Sequence, residues 1–241
     1  MSKNSSTNAE RVWTIDVVRG VLMLALLLAN ILLALSDPFT LPLRVLLLDW
    51  HSALQALGVG IFLVTIGIAL SLGYRRMGRA FARTALLEGI GLLFIGFFVT
   101  IATFINDPRT LIAFGIISLI GAAIMVSLVV VARPLLSLIT GIILLVEGAL
   151  LSLSPKLPSS LGWIGPSPFL QTSIDYYPII PWTALVLIGI YLGYRLYPRP
   201  EIVMRPRHAL RPLTWLGKNA LVIYLIHQPL IVGSLLVLKL A

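Results

Sequence analysis

Residues 11–30 read RVWTIDVVRGVLMLALLLAN, and the apolar run that begins there continues to Leu35. A helix of this length is long enough to cross the hydrocarbon core of a bilayer. At 100° per residue, Asp16, Arg19 and Asn30 fall within about 60° of one another. A charged or amide side chain facing lipid is costly, so this stripe is predicted to face protein or water inside a helical bundle.

The composition of the whole chain indicates a membrane protein with several spans. Of its 241 residues, 59% are hydrophobic and only 11% are charged, a balance that a soluble domain does not need. The absence of cysteine excludes disulfides, thiol catalysis and thiolate metal ligands. The net charge of +9 would suit nucleic-acid binding, but the basic residues sort by membrane topology, so no nucleic-acid partner is predicted.

Hydropathy predicts an all-α transmembrane bundle of about seven spans, forming a single domain over residues 1–241. Fourteen of the 18 lysines and arginines fall on one side of this arrangement, which predicts a cytoplasmic N-terminus in a multi-pass cell-membrane protein. Most arginines are therefore interpreted as topology determinants. An arrangement of six spans, with the fourth and fifth partly re-entrant, is the alternative. The predicted spans are 13–36, 52–74, 82–104, 111–132, 134–153, 181–197 and 216–239.

Two further segments lie outside the predicted spans. Residues 1–10 are predicted to form a flexible N-terminal tail. Residues 154–180 are predicted to form a long outer loop, which is either a lid or a disordered link.

Two of the three histidines are candidates for acid–base chemistry. His51 lies at the predicted outer start of the second span, where Asp49 or Glu147 could orient its ring. His227 lies near mid-depth in the last span, and Pro229 should loosen the helix just beyond it. An interfacial histidine and a satisfied core histidine are the structural alternatives.

Charged and amide residues at the predicted inner ends of the spans are candidates for binding an anionic ligand. Arg19 and Lys218 could bind phosphates. Glu88 lies in the inner third of the third span, where Arg19 is its natural partner, and a structural ion pair explains it as well as a ligand site does. The spacing of the histidines and acids fits no metal motif, and no Gly-rich phosphate loop or nucleophile elbow is present, so no metal cofactor is predicted.

Five stretches in chain order resemble the heparan-α-glucosaminide N-acetyltransferase-like family of transmembrane acyltransferases. The two most specific are DYYPIIPW at 175–182 and PLTWLGKNALVIYLIHQPL at 212–230. Ser118 departs from the family, in which many members have histidine at that position. The other three stretches are TIDVVRGVLMLALLLAN at 14–30, GIFLVTIGIALSLG at 60–73 and IAFGIISLIGAA at 112–123.

The resemblance implies transfer of an acetyl group from cytosolic acetyl-CoA to a sugar amine or hydroxyl on the far side of the membrane. It implies Asn30 and His51 as the catalytic pair, beside His227 as a third candidate. Asn30 would donate to the thioester oxygen, and His51 would deprotonate the acceptor or carry the acyl group. The candidates for binding acetyl-CoA are Asp16, Arg19, Asn30, Glu88, Lys218 and Asn219, and those for the acceptor are Asp49, Glu147, Asp175, Tyr176 and Tyr177.

A small-molecule transporter or flippase and a non-catalytic membrane scaffold are the competing interpretations. The sequence contains no inverted repeat and no matched pair of broken helices, which disfavours a transporter. Membrane lipids, the acyl-CoA donor and an external acceptor are the predicted partners, and homodimer formation is left open.

Overall fold

The computed structural model describes residues 13–35, 41–106, 111–153, 157–167, 170, 173, 175–198 and 208–227, with the backbone alone at 33–35, 41–52, 106, 159 and 208. These residues are helical or lie in turns, apart from an isolated β-bridge between Phe114 and Tyr176. The all-α prediction is therefore confirmed for this part of the chain. The predicted tail at 1–10 lies outside the described residues.

Five helices contain stretches that are long and apolar enough to cross a membrane: α1, Trp13–Leu35; α2, Leu41–Met77; α3, Arg79–Asn106; α5, Pro134–Leu153; and α6, Ile179–Leu196. Two shorter helices complete the order, α4 at Ile116–Leu128 and α7 at Arg211–Lys218. A further helical stretch at 220–227 follows α7, and 3-10 turns lie at Ser159–Leu161 and His208–Leu210. The cytoplasmic position of the N-terminus stays a prediction.

The polar stripe of α1 faces the covered side of the helix, as predicted. Asp16 and Met23 are buried and Arg19 and Asn30 are half-buried. The opposite face carries exposed aliphatic side chains, among them Val18, Val21, Leu24, Leu28 and Leu32.

Helix α2 begins at Leu41, before the predicted start of the second span at residue 52, and its stretch that is long and apolar enough to cross a membrane is Ala53–Met77. Asp49 and His51 were predicted to lie at the outer start of the second span. Their backbone belongs to a helix of 37 residues that begins in a leucine-rich stretch before them, a composition that favours helix. This helix is about 55 Å long, well beyond the ~30 Å of a hydrocarbon core. It ends at Gly78, whose φ of 58° a residue with a side chain rarely adopts.

Helix α4 has only 13 residues, about 20 Å, whereas the predicted span covers 111–132. The segment nevertheless follows α6 along its length. At one end the backbone N–H of Tyr177 donates to the Phe114 carbonyl at 2.8 Å, and at the other the Tyr194 hydroxyl donates to the Val131 carbonyl at 3.0 Å. The segment around α4 therefore extends as far as α6 does, and whether the chain has six or seven spans stays a prediction.

The chain divides into two compact units. Residues 1–62 and 201–241 form the first unit, in which α7 packs on α1. Residues 63–200 form the second unit, in which α3 packs on α4, and α6 packs on both α4 and α5. The core of the second unit is centred on α6, where the fully buried side chains include Thr183, Val186, Leu187 and Ile190.

Candidate functional site

Helix α7 crosses α1 with backbone against backbone. A Cβ atom on Gly217 would overlap the carbonyl oxygen of Asp16, and one on Gly20 would overlap the carbonyl oxygen of Leu213. Only glycine permits so close an approach at both positions. The crossing brings the C-terminal end of α7, with Lys218, beside the first turns of α1.

This crossing unites most of the residues predicted to bind acetyl-CoA. Asp16 is 4% exposed. Arg19 is half-buried, and its guanidinium carbon lies 5.5 Å from the centre of the Phe62 ring, within the range of a cation–π interaction. Lys218 is exposed, and Asn219 is half-buried beside it. The crossing therefore presents cationic groups next to a buried carboxylate.

Asn30 lies on the same face of α1, about 16 Å from Arg19 along the helix axis. Its Nδ2 donates to the Leu26 carbonyl at 2.9 Å. An amide nitrogen has two N–H groups, so this bond uses one of them. The amide also has a second N–H and an oxygen that can make further contacts on the half-buried side of α1.

His227 is held in one tautomer by its own helix. Its Nδ1 lies 2.6 Å from the Tyr224 carbonyl oxygen, which can only accept a hydrogen bond. We therefore assign the proton of the neutral ring to Nδ1, which leaves the lone pair on Nε2. The ring is 7% exposed and packs against the Tyr224 ring, with 5.3 Å between the centroids. A neutral imidazole arranged in this way can accept a proton at Nε2.

The backbone of His51 and Asp49 belongs to α2, and their side chains lie outside the described residues. His51 is 26 positions before Met77, about 39 Å along the helix. That distance exceeds a hydrocarbon core of about 30 Å. An outer position is therefore compatible with the backbone, and His51 lies two positions before the apolar stretch Ala53–Met77, within α2 and not at the start of that helix. Its catalytic role stays a prediction.

Asp175 and Tyr177, two of the residues predicted to bind the acceptor, are buried in the second unit. The Asp175 carboxylate accepts a hydrogen bond from the backbone N–H of Ile116 at 3.1 Å, at the first turn of α4. The ring of Tyr177 packs edge-on against Trp182, with 4.9 Å between centroids. Both side chains thus have structural contacts, and their predicted contact with an acceptor stays a prediction.

Tyr176 holds the loop at 157–167 against the segment before α6. Its hydroxyl donates to the Gly162 carbonyl at 2.7 Å, with the Gly165 carbonyl 2.9 Å away, and accepts a hydrogen bond from the Ser167 backbone N–H at 3.1 Å. Burial raises the pKa of Tyr176 above its ordinary value of 10.0, and the hydrogen bond with Ser167 opposes this rise. Tyr176 thus connects three backbone groups of the described part of the loop, and whether the loop is a lid stays a prediction.

Glu88 and Glu147 lie on exposed faces of α3 and α5. Helix α3 packs on α4 through Gly89, which meets Gly121, and this contact turns Glu88 to one side. The sequence predicted that these carboxylates would find a basic partner within the bundle. Both carboxylates are exposed in the part of the chain that the structure describes, and their partners stay a prediction.

Arg75 has a role that sequence reasoning missed, because the arginines were interpreted as topology determinants. Its guanidinium donates to the carbonyl oxygens of Tyr197 and Pro198, each at 2.6 Å, and lies 4.9 Å from the centre of the Tyr194 ring. It thereby closes the C-terminal end of α6. The partners lie more than a hundred positions away, so no local pattern could have revealed the contact.

The catalytic and acetyl-CoA candidates, except Glu88, all belong to the first unit, whereas Glu88 and most acceptor candidates belong to the second.

Over the described ranges, no three histidine or acidic side chains come together as metal ligands.

The family model described as heparan-alpha-glucosaminide N-acetyltransferase, catalytic, matches residues 11–229. Comparisons with curated proteins and with solved structures found no match. The matched range includes α1, with Asp16, Arg19 and Asn30, and extends past His227. The chain therefore belongs to the heparan-α-glucosaminide N-acetyltransferase catalytic family of transmembrane acetyltransferases.

Proposed function

We propose that this protein transfers the acetyl group of cytosolic acetyl-CoA to an amine or hydroxyl of a sugar on the outer side of the membrane. The observation that carries the proposal is the crossing of α1 and α7, which brings Arg19, Asp16 and Lys218 together in a chain of an acetyltransferase family. Phosphate groups need cations, and arginine binds them with the best geometry.

The acyl end of the donor would extend along the polar face of α1. Arg19 and Asn30 are separated by about 16 Å on that face, a distance comparable to an extended pantetheine arm. The N–H of Asn30 that is not bonded to Leu26 would donate to the thioester oxygen as negative charge develops there.

The reaction needs a base for the acceptor. The acceptor's N–H or O–H proton passes to a histidine as the nitrogen or oxygen bonds to the thioester carbon. The tetrahedral species then collapses, the C–S bond breaks, and the CoA sulfur leaves with the proton returned by the imidazolium. His227 is a candidate for this base because its Nε2 carries the lone pair, and His51 is a candidate because of the family resemblance.

Transfer in proteoliposomes tests the proposal. Radiolabelled acetyl-CoA is added on the side of the membrane where α7 lies, and glucosamine or methyl glucoside is present on the other side. We expect the label to appear in acetylated sugar. Absence of label from both sugars, with acetyl-CoA intact, would contradict the proposal. Flux of either sugar without acetyl-CoA consumption would indicate a transporter instead.

Three histidine variants identify the base. Loss of a general base typically lowers kcat by about 10²–10⁴-fold, so either His51→Ala or His227→Gln should show this loss, together with a changed pH–rate profile. His208→Gln is the matched control, because His208 lies in the 3-10 turn before α7 and is not assigned to the site. Normal turnover in both His51→Ala and His227→Gln would exclude histidine as the base.

A further inference from the structure

The exposed face of α7 carries three residues in one stripe. Arg211, Trp215 and Lys218 fall within about 60° of one another at 100° per residue. All three are exposed, and Trp215 is 62% exposed, whereas Thr214 and Gly217 on the other face are buried against α1. Two cations that flank one aromatic ring can contact either a membrane interface or an anionic ligand that carries a ring, and the experiment below distinguishes the two.

The stripe is fixed in place by the rest of the helix. The Thr214 hydroxyl donates to the Leu210 carbonyl at 2.8 Å, and the Asn219 amide donates to the Trp215 carbonyl at 2.8 Å. The backbone contacts at Gly20 and Gly217 lock the opposite face to α1. The backbone that carries Arg211, Trp215 and Lys218 is therefore fixed relative to α1, so the spacing of the three side chains is set by the helix.

The stripe matches a ligand that has one aromatic ring and two separated phosphate groups. Arg211 and Lys218 are about 10 Å apart along the helix, with the indole of Trp215 between them. The nucleotide end of CoA has this composition, with adenine, a 3′-phosphate and a 5′-diphosphate on one ribose. A phospholipid headgroup supplies a phosphate but no ring to stack on the indole.

We propose that Arg211, Trp215 and Lys218 bind the nucleotide end of the acyl-CoA donor, with adenine stacked on Trp215 and the phosphates on the two cations. This inference rests on the proposed function, because it assigns the donor's nucleotide to a surface next to the crossing with Arg19. It makes the protein specific for CoA thioesters over thioesters of shorter thiols.

The experiment compares two donors that share the same reacting group. Full-length protein in nanodiscs of neutral lipid is titrated with CoA and assayed with acetyl-CoA and with S-acetylpantetheine. We expect Trp215→Ala and Arg211→Gln each to weaken CoA binding about tenfold, equivalent to about 1.4 kcal/mol. Turnover with S-acetylpantetheine, which lacks the nucleotide, should not change. Trp215→Phe, which keeps an aromatic face, should recover much of the affinity.

Arg195→Gln is the matched control, since Arg195 is an exposed arginine at the end of α6 and outside the stripe. Unchanged CoA affinity in both stripe variants would overturn the inference, as would equal losses with the two donors, which indicate a structural role. If those variants instead lose only binding to vesicles that contain anionic phosphatidylglycerol, the stripe is a lipid contact and the inference is wrong. Failure of the wild-type protein to bind CoA would overturn the proposed function itself, a separate result.

Discussion

The carboxylate of Asp175 accepts a hydrogen bond from the backbone N–H of Ile116 at 3.1 Å, across 59 positions of the chain. A residue just before α6 thus caps the first turn of α4, whose N-terminal N–H groups have no partner within the helix. The neighbouring backbone is tied in the same way, because the Ser173 hydroxyl accepts a hydrogen bond from the N–H of Ala113 at 3.0 Å. The first part of the DYYPIIPW motif therefore joins two helix starts.

Replacing Asp175 tests whether this cap is its main role. Asp175→Ala should destabilise the protein by about 1 kcal/mol, since a lost helix N-cap typically costs that much. Asp175→Asn keeps an oxygen that can accept from Ile116 and should retain most of the stability. The measurement is the melting temperature in detergent, with the KM for the sugar acceptor determined alongside. A raised KM in a fully stable Asp175→Asn variant would show that the carboxylate also binds the acceptor.

The close approach of α1 and α7 predicts a large effect of one methyl group. Gly217→Ala should force the two backbones apart at the Asp16 carbonyl, at a cost of about 1–3 kcal/mol, typical of overpacking. CoA binding should weaken with it. Gly91→Ala is the matched control, because no atom lies within 4 Å of a Cβ placed there. Equal melting temperatures for the two variants would contradict the described crossing.

The hydrogen bonds of Tyr176 lead us to expect that the loop at 157–167 responds to mutation and to pH. Tyr176→Phe removes the donor to Gly162 and the acceptor for Ser167, so the loop at 157–167 should be cleaved faster by an added protease, with a loss of about 1–2 kcal/mol. Tyr191→Phe is a control within α6.

The pH dependence follows from the raised pKa of Tyr176. The folded state keeps this proton at a pH where the unfolded chain releases it, so the contribution to stability is complete below pH 10.0 and is lost as the pH rises above it. Thermal unfolding measured from pH 7 to above pH 10 should show a steeper alkaline decline for the wild type than for Tyr176→Phe. Parallel curves would contradict this contribution.

We expect that lysine cannot replace Arg75 in its contacts at the end of α6. Arg75→Lys keeps the charge but not the fork that reaches Tyr197 and Pro198, nor the stacking on Tyr194. We expect the free energy of unfolding to fall by about 1.5–3 kcal/mol, the cost of lost charged hydrogen bonds, and the melting temperature to fall with it. Arg79→Lys is the control, because Arg79 is exposed, and it should leave the melting temperature unaltered. An equal fall in the melting temperatures of Arg75→Lys and Arg79→Lys would contradict the role given to Arg75.

The parts of the fold that the sequence predicted are those with local causes. The face of α1 with Asp16 and Arg19 follows from helical periodicity and the cost of charge in lipid, and Pro134–Leu153 follows from one uninterrupted apolar run. The predicted second span, 52–74, lies close to the apolar stretch Ala53–Met77, but hydropathy did not reveal that the helix itself begins earlier, at Leu41, because a helix can continue beyond its apolar stretch.

The candidate site was predictable only in part, because some of its contacts join residues that are far apart in the chain. Arg19 and Lys218 stood out by charge and position, but the contact that unites them depends on Gly20 and Gly217, which carry no chemical signal in a single sequence. The partner of Asp175 is 59 positions away, so its capping role could be found only from coordinates. The tautomer of His227 likewise depends on the distance to one carbonyl oxygen.

Whether the crossing of α1 and α7 binds the donor is measured by titration calorimetry with acetyl-CoA on the wild type and on Arg19→Gln. We expect saturable binding to the wild type that is competed by free CoA. Loss of a charged contact from Arg19 should weaken it by about 1.5–3 kcal/mol, roughly 10–150-fold. Absence of saturable heat with the folded wild-type protein, or equal affinities of the two proteins, would contradict binding of the donor at the crossing.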